Sequence, residues 1–281
     1  MSQFASPDRI PVRTKDCRHG RFSYLAHDHF VGRSLDLYGE FSEHEIRVMT
    51  HFVADGAVIV EAGADIGALT VPLARAAGSA GQVIAYEPQA PLVALLRHNL
   101  AANGLGQVEV RQTALGRVCG TVCIPPIDYH RTGNFGAVSM KRDAAPDATR
   151  VAQETIDDLR LARLDLLKID VEGMEIEVLA GAVETIRRLA PTLYVENDRD
   201  ENSRSLIELI ESLGYRAWWH LPPLYNPDNF FGNAENAFPR ILSVNLLCVP
   251  PNSPHRIVNA TAVEGPDDTW RAAAKRLRGE A

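Results

Sequence analysis

Four short apolar runs, each closed by an acidic residue, constrain this chain most: residues 58–61 ending at Glu61, 83–87 at Glu87, 164–170 at Asp170 and 192–196 at Glu196. Between them lie segments with apolar residues at helical spacing. These are Ile66, Leu69, Leu73 and Ala76, then Leu92, Leu95, Leu96 and Leu100, then Ile176, Leu179, Val183 and Ile186. Alternation of such runs with amphipathic helices predicts a doubly wound α/β fold, in which helices cover both faces of a mainly parallel sheet. Runs at 108–112, 215–219 and 241–249 bring the expected sheet to seven strands. Because the acids close the strands, one sheet edge should gather carboxylates, and that edge is where open α/β sheets bind ligands.

The first of these runs leads into the turn Glu61-Ala-Gly-Ala-Asp-Ile-Gly67. Gly63 and Gly67 let the backbone take up positive φ and approach a ligand closely, and the helix that follows offers unpaired N–H groups. Glu87 closes the second run, where an acidic side chain can hold both hydroxyls of a ribose. Together the two features point to an adenosine-containing cofactor. The spacing of Gly63 and Gly67 is not G-x-G-x-x-G, which disfavours a dinucleotide oxidoreductase.

The 281 residues, 46% of them hydrophobic, suffice for a sizeable core in one domain with additions. No apolar run has the length of a membrane span. A net charge of −7, with 29 basic residues spread along the chain, argues against a nucleic-acid partner and favours a small-molecule or glycan-type acceptor. Homo-oligomerisation is left open. Cys17, Cys119, Cys123 and Cys248 lack metal-ligand spacing and read as structural thiols. The first residues show no basic segment followed by an apolar one, so no leader is expected and the cytoplasm is the expected compartment.

Residues 1–55 form an N-terminal extension expected to cover the cofactor side. Ser42 and Glu45 read as a capping box for a helix whose inner face carries Ile46, Met49 and Val53. Tyr38, just before it, is placed to close over the cofactor. In the main domain, residues 56–250, the strand and helix period breaks at 120–150. There Pro125-Pro126 and a turn at Asn134-Phe-Gly136 before residues 137–140 predict an inserted hairpin. Residues 144–148 read as loop, and Thr155 to Asp158 as a helix cap. The segment 220–240 is dense in asparagine, proline and aromatics, and a loop of that length in a compact domain is usually functional. Tyr225, Asn226, Asn229 and Phe230 are its expected acceptor contacts, since amides satisfy hydroxyls and aromatics stack on sugar faces. The tail, 251–281, carries Trp270, Ala274 and Leu277 at helical spacing.

The motifs Glu61-Ala-Gly-Ala-Asp-Ile-Gly67, Ala85-Tyr-Glu-Pro88 and Leu167-Lys-Ile-Asp-Val-Glu-Gly-Met-Glu175 resemble those of the FkbM-type methyltransferases, over about residues 28–250. The resemblance implies a class I methyltransferase fold, Rossmann-like, with S-adenosylmethionine as cofactor. It implies that Gly63, Ala64, Asp65 and Gly67 hold the methionine part, Glu61 and Asp170 lie beside them, Glu87-Pro88 meets the ribose and Gln112, Thr113 and Ala114 the adenine. Asp65 departs from the asparagine common at that place; it keeps an acceptor and loses donors.

Methyl transfer to a hydroxyl needs an aligned nucleophile and a base. Asp170, Glu172 and His220 are the expected candidates, His220 because its ordinary pKa lies near neutrality. Glu196 and Asn197 follow the fifth strand on the acceptor side. Asp170, Glu196 and Asn197 are also similar to the acid, acid, amide set of cation-dependent O-methyltransferases, which implies a Mg²⁺ site. The expected activity is O-methylation of a sugar, glycan precursor or polyketide-like metabolite; N-methylation and cofactor binding without catalysis are the competing readings.

Overall fold

The structure is a computed structural model that describes residues 10–140, 146–258 and 260–280. The residues on which the leader reading rests (1–9), and part of the loop read at 144–148, lie outside the described residues. The chain opens with a hairpin, β1 (Val12–Cys17) and β2 (Gly20–Leu25), then helices α1 (Val31–Tyr38) and α2 (Glu43–His51). The alternating core follows as β3 (Val58–Ala62), α3 (Thr70–Ala77), β4 (Gln82–Tyr86), α4 (Ala90–Ala102) and β5 (Val108–Arg111). An excursion through β6 (Ala114–Leu115), β7 (Gly120–Ile124) and β8 (Thr149–Glu154) interrupts it. The core resumes with β9 (Leu166–Ile169), α5 (Glu175–Ala180), α6 (Val183–Leu189), β10 (Thr192–Glu196), α7 (Asp200–Ser212), β11 (Arg216–His220) and β12 (Asn245–Val249). A two-residue strand, β13 (Thr261–Ala262), and helix α8 (Trp270–Arg278) come last.

The main sheet has eight strands in the order β13-β11-β12-β10-β9-β3-β4-β5. The seven expected strands are all in it, and β13 adds an edge by pairing with Trp218 and Trp219. Strands β10, β9, β3, β4 and β5 are parallel neighbours. The sheet is therefore mixed, since β12 runs antiparallel to both β10 and β11. The physical reason is the connection: a parallel neighbour needs a crossover, whereas β11 returns into β12 through a loop without a helix. Alternate residues along each central strand face opposite layers. Ile59 and Val83 pack with Leu73, Leu92 and Leu96 from α3 and α4, while Val60 and Ile84 pack with Leu179, Leu206 and Ile210 from α5 and α7.

Three local expectations change. The helix expected across residues 176–186 is two helices, because at Gly181 a Cβ would stand 2.0 Å from the Gly116 carbonyl oxygen, and Asp157 caps the restart by accepting from Thr185 N at 2.7 Å. Ser42 does precede α2, but its side chain accepts from none of the helix's first N–H groups, and Glu45 accepts from Asn245 Nδ2 at 3.2 Å in the interior. The inserted hairpin returns through β8, not through 137–140: β7 and β8 pair antiparallel and β6 joins β8 in a separate three-stranded sheet. The Thr155 turn forms as expected, its Oγ1 accepting from Asp158 N at 3.1 Å. All four cysteines are free.

The N-terminal hairpin, for which the sequence showed no pattern, docks on α4. Asn99, fully buried, accepts from Ser23 N at 2.7 Å and donates to Ser23 O and Ile66 O at 2.9 Å each. One side chain thus ties the extension to the loop that follows Gly63. Among the described residues no helix is long and apolar enough to cross a membrane.

Candidate active site

A cleft of about 300 Å³ opens at the C-terminal ends of β3, β4, β9 and β10. Its floor is the turn after β3. Gly63 has φ 80°, and a Cβ there would lie 1.8 Å from the Asp170 carbonyl oxygen, so only glycine lets the turn pass under the end of β9. Lys168 reaches up from β9 and donates to Gly63 O at 2.6 Å. Its Nζ also stands 3.4 Å from Asp170 and 3.8 Å from Glu61. Burial opposes the ammonium charge, but Asp170, Glu61 and Glu45 outweigh it and hold the Lys168 pKa above its ordinary value.

Glu61 is fully buried, and Thr70 Oγ1 donates to its Oε2 at 2.6 Å. The other oxygen, Oε1, lines the cleft region without a hydrogen-bond donor. An orphaned buried carboxylate oxygen is costly unless a ligand supplies the donor. Glu87 accepts from Asp65 N at 3.0 Å and from Gln89 N at 2.9 Å, so it joins the turns after β3 and β4. Burial pushes Glu87 up to about 7 despite those two amides. Asp65 adopts φ 48°, a left-handed conformation that Asp and Asn tolerate best among residues with a Cβ. Burial, then Asp28 and Glu87, push its pKa well up.

Eight acids line the cleft: Glu45, Glu61, Asp65, Glu87, Asp170, Glu172, Glu196 and Asp198, against the one base Lys168. Burial raises Glu172 to about 7, helped by Asp170 and Asp198 and opposed by Arg199, whose Nη2 donates to Glu172 at 2.8 Å. Glu196 is pushed well up by burial and then by Asp170 and Glu172. Carboxylates forced together in this way are relieved by a bound cation. Oxygens of Asp170, Glu172 and Glu196 lie within 4.8 Å of one another, whereas Asn197, expected in that set, is buried and donates to Ser203 Oγ at 2.9 Å.

Other expected site residues sit elsewhere. Tyr38 is buried, donates to Glu235 O at 2.9 Å and accepts from Ala237 N at 2.7 Å, which anchors the 220–240 loop. His220 lines a second cavity with Arg47, His51 and Trp218, and burial lowers its pKa to about 4. It reaches the cleft only through Tyr194, 2.7 Å from His220 Nδ1 and 3.3 Å from Glu45 Oε2. Gln112, Thr113, Ala114 and Pro88 do not line the cleft; β6 draws Ala114 into the second sheet. Asn134, Gly136 and Ala137 take that wall. Tyr225, Asn226, Asn229 and Phe230 are outside it as well.

Sequence reasoning missed Lys168, Glu45 and Asp198. A lysine within an apolar strand was a visible signal for the first; Glu45 was concealed by its fit to a capping box.

The Methyltransferase FkbM domain matches residues 61–217, more than half of the chain, including the turns at Gly63 and Glu87 and the strand ends at Asp170 and Glu196. The chain belongs to the FkbM methyltransferase family. Within it, the chain is 31% identical over 201 residues to methyltransferase sdnD of Sordaria araneosa, across 57% of this chain and 76% of that one. It is 25% identical over 195 residues to methyltransferase 1 of Beauveria bassiana, across 62% and 78%. Among solved structures, an FkbM methyltransferase from Methylobacillus flagellatus aligns with a TM-score of 0.45 and 16% identity, over 70% of this chain and 44% of that one, so this chain spans less than half of it. An S-adenosylmethionine-dependent O-methyltransferase from Thermotoga maritima aligns with a TM-score of 0.48 and 14% identity, over 88% and 80%.

As an FkbM-family methyltransferase, the protein takes its methyl group from S-adenosylmethionine. The cradle fits that cofactor on its own terms. Glu61 Oε1 makes no hydrogen bond, although Lys168 Nζ stands 3.8 Å from it, so it can accept a further donor such as an ammonium, and the acid excess suits a sulfonium.

Proposed function

We propose that this methyltransferase acts on a hydroxyl oxygen of a small metabolite, a sugar, glycan precursor or polyketide-like alcohol, with no nucleic-acid or membrane partner. The observation that carries this reading is the excess of carboxylates lining the cleft, eight against one lysine, with Asp170, Glu172 and Glu196 gathered within 4.8 Å of one another. When bound, the cofactor supplies an electrophilic methyl on a cationic sulfur. The chain's own residues do the rest. Glu61 Oε1 would accept from the cofactor's ammonium, Lys168 holds the Gly63 carbonyl in place, and Glu87, which ties together the turns after β3 and β4, would meet the ribose. The carboxylates of Asp170 and Glu45, both on the cleft, are positioned to accept the proton that an attacking hydroxyl must lose. Glu45 is buried, which raises its pKa and strengthens it as a base, while hydrogen bonds from Ser243 and Ser42 oppose the shift and keep a carboxylate form accessible. A Mg²⁺ ion on Asp170, Glu172 and Glu196 would add Lewis-acid activation of the same hydroxyl.

The test is a screen of hydroxylated and amine-bearing metabolites with methyl-labelled S-adenosylmethionine, followed by location of the label. Label on oxygen is the expected result. Label on nitrogen only would convert the reading to N-methylation. Binding of S-adenosylhomocysteine with no turnover on any acceptor would support a non-catalytic role. Running the screen with and without a chelator separates metal-assisted from metal-free transfer.

A further inference from the structure

The segment 220–244 does not meet the cleft with its amides. Asn226 and Asn229 are each only 5% exposed. Asn226 donates to Glu40 Oε1 at 2.8 Å and accepts from Asp228 N at 3.0 Å. Asn229 donates to Asn226 O at 3.0 Å and Asn233 O at 2.7 Å, and accepts from Asn233 N at 2.9 Å. These side chains hold the loop's own backbone and have little capacity left for a sugar's hydroxyls.

What the segment gives the cleft is aliphatic. Leu224, Ile241, Leu242 and Val244 line it, together with Phe30 and Phe41 from the N-terminal extension. Ile241 and Leu242 are 40% and 37% exposed, large apolar side chains left in water at the rim. That rim is built rather than loose: Leu224 N donates to Ile241 O at 3.1 Å, Ser243 N to Pro222 O at 2.9 Å, and Pro223 bridges Leu242. The cleft lining therefore combines carboxylates with aliphatic side chains, of which Ile241 and Leu242 are the exposed ones, and its ligand must be correspondingly two-sided.

We propose that the methyl acceptor is an amphiphilic alcohol, whose hydroxyl lies among the carboxylates and whose apolar body covers Ile241 and Leu242, rather than a free sugar. The inference rests on the methyl-transfer reading of this cleft. The apolar body can be an alkyl chain, a polycyclic skeleton or the aglycone of a glycoside, since all three offer the same nonpolar surface to the rim.

The experiment compares matched ligands that share one polar head: glucose and its butyl, hexyl and octyl β-glucosides, below micelle formation, titrated calorimetrically into the full chain saturated with S-adenosylhomocysteine. Affinity should rise roughly threefold per added methylene, the factor for moving such a group out of water. In Ile241→Asn and Leu242→Asn the dependence on chain length should fall to less than half, with S-adenosylhomocysteine affinity unchanged. Both side chains are partly exposed at the rim and outside the buried core, so the fold should survive either change, which a thermal melt verifies. No rise with chain length in the wild type, whether none of the ligands binds or all bind alike, overturns the proposal. So does a rise that both variants retain in full. Failure of S-adenosylhomocysteine itself to bind would instead strike the underlying reading of the cleft.

Discussion

Single side chains in the cradle carry separable jobs. Glu61→Gln keeps the shape beside Thr70 but removes the charge that meets an ammonium. A hydrogen bond to a charged group is worth about 1.5–3 kcal/mol, so S-adenosylhomocysteine should bind roughly ten- to a hundredfold more weakly by calorimetry. Gly63→Ala forces a Cβ to within 1.8 Å of the Asp170 carbonyl at a positive φ, so the variant should lose about 2–4 kcal/mol in urea unfolding and most of its cofactor affinity. Glu45 offers a test of the buried chain behind the cleft. Tyr194→Phe removes a donor to its carboxylate, 3.3 Å away, and removing a donor disfavours the charged form. The Glu45 carboxyl titration, followed by ¹³C NMR, should therefore move to higher pH in that variant; an unchanged midpoint would mean that Tyr194 does not tune it. At Asp65 the amide is held by Glu87 and burial drives the carboxyl toward the neutral form.

At the level of elements, the strands and helices from β3 to β5 and from β9 to β12 were legible because each carries its own period and its own stop signal. The runs ending at Glu61, Glu87, Asp170 and Glu196 all lie within or beside strands of the sheet, at its C-terminal edge. Elements whose reason for existing lies outside themselves were not legible. The β1–β2 hairpin is short, half exposed and held from α4 by Asn99. Asn99→Ala would leave Ser23 N, Ser23 O and Ile66 O without partners in a buried place. We expect a loss of about 2–4 kcal/mol in denaturant unfolding, and earlier proteolytic cutting within residues 12–25 than elsewhere. The break between α5 and α6 has the same origin: Gly181 and Asp157 answer to β6 and to the turn after β8, not to the helical pattern that runs through them. Four apolar residues at helical spacing could not reveal that contact.

The whole molecule is organised around a concentration of negative charge, and its stability should respond to pH accordingly. Glu87 and Glu172 are raised from an ordinary carboxylate value to about 7, so the folded protein holds their protons more tightly than the unfolded chain does. Their contribution is fully present below the unfolded pKa and is lost as pH rises through about 7. His220 acts in the opposite sense, but only below its ordinary value of 6.5, where its buried neutral form must be charged. Between pH 6.5 and 8 the melting temperature of the ligand-free protein should therefore fall, and saturating S-adenosylhomocysteine, whose ammonium would meet Glu61 in the proposed site, should recover more of it at pH 8 than at pH 6.5. A flat profile by scanning calorimetry would contradict this. The sequence by itself determined the sheet, the glycine turn and the placing of Glu61, Glu87 and Asp170 on the cleft at its edge, all set by short-range periodicity and by residues that must follow a strand directly. What lines the rest of the cleft was decided only in three dimensions. Asn226 spends its amide on Glu40, 186 residues away, and Tyr38 locks the loop from 197 residues away, so the asparagines turn inward and the aliphatic rim is left facing the cleft. No local pattern encodes which side of a long loop faces a cleft, because that choice belongs to hydrogen bonds closed between distant parts of the chain.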